Sequence, residues 1–244
     1  MTRRSVSSPA SWEFSQRMLI LVASQLVLAL TVWYVGDGRR PWYSPEFTTI
    51  QGWLGASLTI LGVVIRLLGT ATLSSRIMSS KSPESVRLCR EGLFAVSRNP
   101  LYLGSLLMLA GYGVYFGWIA AAGFTLLHWL RYQRVIQLEE TQLEEQWGQE
   151  FEDYRHSVPR WFGRLSRLRN IDWPSVTADS LLANAIFVGF AVGCVAGSIT
   201  GQHAWLILFQ ALGGAVSVFH LIGTAAIRRR KCREASPEQH AVPQ

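Results

Sequence analysis

Uncharged stretches of membrane length, separated by short polar and basic segments, set the pattern of this 244-residue chain. There are 19 uncharged residues between Arg17 and Asp37, 19 between Glu46 and Arg66, 32 between Arg98 and Arg131, and 48 between Asp179 and Arg228. An apolar run of roughly 18 residues or more is long enough to cross a bilayer as a helix. With a rise of about 1.5 Å per residue and a hydrocarbon core of about 30 Å, residues 18–35 and 50–68 each predict one span. The 48-residue run predicts two, 181–198 and 204–226, parted by Ile199, Thr200, Gly201 and Gln202. The 32-residue run is too long for one crossing and short for two. Gly111, Gly113 and Gly117 interrupt it around Tyr112, Tyr115 and Phe116, which predicts a tight helical hairpin with short arms, 101–115 and 118–130.

Charge sorting supports that division, because basic residues collect on the cytoplasmic side of a membrane. Six crossings place on one side Arg3, Arg4 and Arg17, the basic residues of 71–99, those of 131–179 and the tail from Arg228 to Arg233; Arg39 and Arg40 fall on the other. A single crossing over 99–130 would move the seven arginines of 131–169 outside. The expected fold is therefore all-α, a polytopic membrane protein of about six helices with both termini cytoplasmic. Composition agrees: 49% of residues are hydrophobic and 16% charged, against about 25% charged in soluble domains. The net charge of +7 follows from orientation rather than from nucleic-acid binding. Cys89, Cys194 and Cys232 have no CxxC spacing, so neither a disulfide framework nor a metal site is expected. The first apolar run ends without a small-residue cleavage site and reads as a retained span. Trp33, Trp42, Trp53, Trp118, Trp129, Trp161 and Trp205 lie near span ends, as an interfacial belt requires.

Two polar segments remain to carry chemistry. The first, SSKSPESVRLCREGLFAVSRNPLYLG over residues 79–104, ends with Asn99 before Pro100. Pro100 suits the first turn of a helix and Asn99 its cap; that helix start, with Arg98 beside it, is also a place to receive a carboxylate. The second, residues 131–160, repeats apolar positions at Val135, Leu138, Leu143, Trp147, Phe151, Tyr154 and Val158. That spacing predicts a helix leaving the membrane, broken near Gly148 and ended before Pro159. Glu144, Glu145, Glu150, Glu152 and Asp153 read as its solvated face. Glu139 and Glu140 lie close to the bilayer, where a carboxylate is costly without a partner or ligand; pairing within the helix to Arg131 or Arg134 is the structural alternative.

Together these segments resemble the isoprenylcysteine carboxyl methyltransferase and phospholipid methyltransferase superfamily of integral membrane enzymes. The matching residues are Gly92 and Phe94; Arg98, Pro100, Tyr102 and Gly104; Glu139, Glu140 and Leu143; Trp147, Gly148, Phe151 and Tyr154; and Val158 with Pro159. The resemblance covers residues 79–162 and implies S-adenosylmethionine as cofactor, held between membrane helices and cytoplasmic segments. It implies contacts from Val86, Arg87, Leu88 and Cys89, packing by Phe94, and a polar end held by Arg98, Asn99, Pro100, Leu101 and Tyr102, with Glu139 completing the cofactor site. Arg134 and Glu140 are the implied catalytic residues, Arg134 to orient the acceptor. Asn99 stands where the family pattern has His, and Trp147 where it has Phe.

The chain thus divides into N-terminal membrane helices (1–78), a methyltransferase core (79–162), a linker with two C-terminal membrane helices (163–227) and a basic, disordered tail (228–244). The expected activity is S-adenosylmethionine-dependent methyl transfer in the bacterial cytoplasmic membrane, to a lipophilic small-molecule or lipid acceptor carrying a thiol, carboxylate or amine. Membrane lipids are the other expected partners. The competing readings are an NADPH-dependent membrane reductase of the sterol-reductase type and a membrane scaffold or transporter without catalysis.

Overall fold

The computed structural model describes residues 50–73, 88–115, 117–163, 165–202 and 204–234, together with a few isolated positions before residue 50. The predicted span 18–35 and residues Val86 and Arg87 lie outside the described residues. Within them the protein is helical, without a β-strand. The α-helices are α1 (Ile50–Leu73), α2 (Pro100–Val114), α3 (Trp118–Trp147), α4 (Gln149–Ser157), α5 (Ala178–Ala183), α6 (Ala185–Thr200) and α7 (Ala204–Glu234). Two short 3-10 turns, Gly92–Ala95 and Leu165–Asn170, lie between them.

The long helices pack side by side in the order α3, α2, α1, α6, α7. Small residues let α1 and α2 touch backbone to backbone. A Cβ on Gly104 would lie 2.6 Å from the Gly62 carbonyl oxygen, and one on Gly111 would lie 2.5 Å from that of Gly55. Packing of this kind suits helices in lipid, where no hydrophobic drive brings apolar faces together and close van der Waals contact must do so. The core runs through the stack, from Phe124 of α3 through Met108, Leu109 and Tyr112, then Ala56 and Val63, to Phe187, Phe190 and Cys194 of α6 and Leu206 of α7.

The pairings 55–111 and 62–104 make α1 and α2 antiparallel, and two side-chain bonds mark the ends of the stack. Gln51 Nε2 donates to the Val114 carbonyl at 2.7 Å, while Asn184 Nδ2 donates to Thr70 Oγ1 at 3.0 Å. The Thr70 end gathers the start of α2, the start of α6 and the charged half of α3. The turn at Gly117 and the left-handed Gly201 (φ 73°) close the other end.

Outward faces are apolar. Leu54, Ile60, Leu61 and Val64 of α1, Leu126, Leu127 and Leu130 of α3, and Ile207, Leu212, Phe219 and Ile222 of α7 are all exposed. Ile50–Leu73 and Ala204–Thr224 are long and apolar enough to cross a bilayer, whereas Pro100–Val114 and Ala185–Thr200 are shorter apolar helices.

The helix expected to leave the membrane is continuous with the second hairpin arm, one helix from Trp118 to Trp147, since the change from apolar to charged side chains leaves the backbone ladder intact. Three expectations need correction. The span 181–198 is broken at Asn184, whose side chain bonds Thr70 and the Ser180 carbonyl. The stretch 228–234, expected to be disordered, continues α7 to Glu234. Asn99 stands at the cap position of α2, but its side chain caps nothing there and donates instead to the Arg160 carbonyl at 3.2 Å.

Candidate functional site

The segment before α2 is fixed by a seam of bonds to the chain that follows α4. Arg98 N–H donates to the Pro159 carbonyl at 3.0 Å, and Ser97 Oγ and Asn99 Nδ2 both donate to the Arg160 carbonyl, at 3.3 and 3.2 Å. Gly163 lies so close to the Val96 carbonyl that no side chain fits there. Tyr154 Oη donates to the Phe94 carbonyl at 2.8 Å. Burial pushes the Tyr154 phenol well above the ordinary tyrosine range, which keeps that proton in place as a donor. Pro100 begins α2, where its missing N–H costs little.

The carboxylates arrive from α3. At Gly148 the backbone takes φ +50°, a conformation that favours glycine. The chain then doubles into α4, so that Phe151, Tyr154 and Val158 pack with Leu88, Leu143 and Trp147. This fold-back returns Arg160 to Glu140. Arg98 Nη2 lies 3.1 Å from Glu140 Oε1, Arg160 Nε donates to the same oxygen at 3.2 Å, and Arg160 Nη2 pairs with Glu140 Oε2. Arg160 also reaches Gln133 Oε1 at 3.4 Å. The Arg98 and Glu140 side chains are only 10% and 12% exposed. Burial lowers the pKa of Arg98 and the neighbouring Glu140 opposes that shift. One turn inward, Tyr102 Oη donates to Glu139 Oε1 at 2.8 Å, joining α2 to α3.

The expected residues therefore divide. Arg98, Asn99, Pro100, Tyr102, Glu139 and Glu140 gather where α2 begins and α3 passes it. Phe94 is buried in the preceding 3-10 turn. Leu101 faces α1, near Gly69, and Leu88 packs on the α4 cluster. Cys89 is half-buried and Arg134 is exposed on α3. The ion partners of Glu140 lie across the fold, at Arg98 and Arg160, rather than one turn back along its own helix. Arg160 was counted only as a topology marker in the sequence; the signal that marks it is its place directly after the Val158–Pro159 match. Arg66, buried within α1, was also passed over. It donates to the Leu101 carbonyl at 3.1 Å and to Ser105 Oγ, with its guanidinium 4.0 Å from the Phe187 ring centroid, and so holds the first turn of α2.

Some polar atoms here have no partner among the described residues. Arg98 Nε, Gln142 Oε1 and Trp147 Nε1 are buried without a hydrogen-bond partner among the described residues. A groove of about 430 Å³ bordered by Arg90, Tyr154, Val158 and Arg167 offers less, because Arg90 is paired with Glu150 and Arg167 donates to the Ala95 and Ser157 carbonyls.

The fold and site define an all-helical, membrane-type protein whose polar centre sits at one end of a helix stack. Residues 50–150 match the phospholipid methyltransferase family. The chain is 29% identical over 168 residues to the nickel-cobalt-cadmium resistance protein NccN of Alcaligenes xylosoxydans xylosoxydans, spanning 66% of this chain and 77% of that protein. It is 26% identical over 145 residues to proteins of Oryza sativa subsp. indica and subsp. japonica, each named "Probable protein-S-isoprenylcysteine O-methyltransferase", spanning 57% of this chain and 76% of theirs. No solved structure matches the chain. Residues 50–150, which carry the site from Arg98 to Glu140, thus place this part of the chain in the isoprenylcysteine carboxyl and phospholipid methyltransferase superfamily.

Proposed function

We propose that this protein is an S-adenosylmethionine-dependent methyltransferase of the bacterial cytoplasmic membrane, acting on a lipophilic acceptor. The observation that carries the reading is the Tyr102–Glu139 hydrogen bond across the hairpin, set beside the Arg98–Glu140–Arg160 clamp. S-adenosylmethionine supplies an electrophilic methyl group on a sulfonium, together with an amino-acid end, a ribose and an adenine that need both donors and acceptors. The residues fit such a group, since the buried unpartnered atoms include two donors, Arg98 Nε and Trp147 Nε1, and one acceptor, Gln142 Oε1.

In this reading Glu139 and Tyr102 bind the cofactor's polar groups, and Asn99 serves through backbone position rather than as an acid or base. Val86, Arg87, Leu88, Cys89 and Phe94 form its other wall. Both Glu140 oxygens are engaged by arginines, so Glu140 positions the segment from Arg98 to Tyr102 and does not move a proton. Arg134, exposed on α3, orients an acceptor only from the outer margin of the site. Alignment of the acceptor and exclusion of water are the chain's main contributions, and an acceptor drawn from lipid enters beside the apolar half of α3. Six crossings with both termini cytoplasmic complete the proposal. Isothermal titration of the full-length protein in detergent with S-adenosylhomocysteine tests it: saturable one-site binding is expected, and its absence would refute the reading.

A further inference from the structure

Arg66 is a charged residue on α1, a helix otherwise long and apolar enough to cross a bilayer, and it is only 6% exposed. A guanidinium in that setting is costly unless its donors are met in a fixed geometry. Its Nη1 donates to the Leu101 carbonyl at 3.1 Å and to Ser105 Oγ, and Ser105 Oγ donates to the same carbonyl at 3.0 Å. The three bonds converge on one peptide unit, the one that joins Leu101 to Tyr102. Gly104 makes room for the arginine stem, since a Cβ there would lie 2.8 Å from Arg66 Cγ. The peptide plane held in this way sets the direction in which Tyr102 leaves α2 to reach Glu139 Oε1.

The guanidinium is also held from α6. Phe187, 2% exposed, has its ring centroid 4.0 Å away, a cation–π contact that suits the flat group of arginine. Thr70 Oγ1 donates to the Arg66 carbonyl at 2.8 Å and accepts from Asn184 Nδ2 at 3.0 Å, so the same turn of α1 is tied to the start of α6. The family match ends at residue 150, which puts α6 beyond it and both Arg66 and Tyr102 within it. A continuous series of packed or bonded pairs therefore runs from Phe187 and Asn184 through Arg66 to Tyr102 and Glu139, the physical condition for coupling between distant positions.

We infer that Arg66 is a positioning residue of the proposed cofactor site and that α6 fixes its orientation, so that a helix outside the family-matched segment sets the affinity for the methyl donor. The inference rests on the methyltransferase reading for the identity of the ligand, but not for the linkage between α6 and Tyr102.

The test measures S-adenosylhomocysteine affinity, and hydrogen exchange over residues 101–106, on full-length protein in detergent. Arg66→Lys keeps the charge without the flat fork; it is expected to lose affinity about tenfold, the scale of one charge-assisted hydrogen bond, and to speed exchange over 101–106. Phe187→Leu keeps an apolar side chain without the π face and is expected to lose affinity about threefold. It alters no charged group, so it serves if the lysine variant does not accumulate. The double variant should bind no worse than Arg66→Lys alone, because both changes act through one contact. Tyr115→Phe is the control: Tyr115 Oη donates to the Cys194 carbonyl at 3.0 Å and lies 2.9 Å from Ser198 Oγ, joining α2 to α6 at the opposite end of the stack. It should lower the melting temperature and leave affinity and exchange over 101–106 unchanged. Wild-type affinity in both the Arg66 and Phe187 variants would overturn the inference, as would an equal loss in Tyr115→Phe, which would make the effect one of overall stability. A loss confined to Arg66→Lys would remove the role of α6. If the wild type binds no S-adenosylhomocysteine, the methyltransferase reading falls, and exchange alone then decides the linkage: faster exchange in both variants keeps it, unchanged exchange overturns it.

Discussion

At the scale of single residues, adjacent glutamates on α3 do different work. Glu139 accepts a hydrogen bond from Tyr102, whereas both oxygens of Glu140 are engaged by Arg98 and Arg160. Tyr102→Phe keeps the ring packing against Tyr132 and removes only the hydroxyl. Loss of a charge-assisted hydrogen bond, roughly 1.5–3 kcal/mol, should lower the unfolding temperature, and in the proposed reading the released Glu139 carboxylate also holds the cofactor less well, so S-adenosylhomocysteine affinity should fall by calorimetry. Glu140→Gln should act on stability first. It preserves shape but leaves two shielded guanidinium groups without their counter-charge, which costs about 2–4 kcal/mol, seen as a lower unfolding temperature in detergent. The sequence did not carry this distinction: proximity to the bilayer marked both acids, and the ordered motif marked Tyr102, Glu139 and Glu140 alike, with Glu140 assigned to catalysis. The clamp was not legible, because an arginine after a proline on the basic side of a membrane is equally well explained by orientation.

At the scale of elements, hydrophobic periodicity located the Gly148 break, the end before Pro159 and both helices of the hairpin, because each boundary coincides with a glycine or proline. It missed the break at Asn184, an uncharged residue in an otherwise apolar run, whose side-chain amide donates across the stack to Thr70 and locally to the Ser180 carbonyl. The glycines of α1 and α2 show a third kind of information. Gly62 is backed directly by Gly104 and Met108, whereas Gly123 on α3 has nothing near its would-be Cβ. Gly62→Ala must push α2 away and should lose about 1–3 kcal/mol. Gly123→Ala should gain about 0.5–1 kcal/mol from helix propensity. Unfolding temperatures of the two variants, measured in one detergent, should move in opposite directions; a shared direction would mean that α1 and α2 do not make this close contact.

At the scale of the whole molecule, charge sorting predicts which side each segment faces, and the packed helices give the relative direction of the described elements. Positive-side bias divided the 32-residue run because seven arginines would otherwise lie outside, and this argument used no contact. The packed helices alternate direction without reference to charge: Gly55 and Gly62 meet Gly111 and Gly104, Thr70 meets Asn184, Thr59 meets Cys194, and Gly193 meets Trp205. Asp153 thus falls with the polar end, and Gln202 lies at the opposite end beyond Gly201. Both positions are exposed and can report sidedness. In a background with Cys89→Ser, Cys194→Ala and Cys232→Ser, Gln202→Cys should react with a membrane-impermeant maleimide added to intact cells. Asp153→Cys should react only after permeabilisation. Labelling of Asp153→Cys from outside, with Gln202→Cys reacting only after permeabilisation, would mean that the 101–130 hairpin crosses only once. The polar site would then face away from the cytosol, where S-adenosylmethionine is made, and the methyltransferase reading would lose its supply of methyl donor.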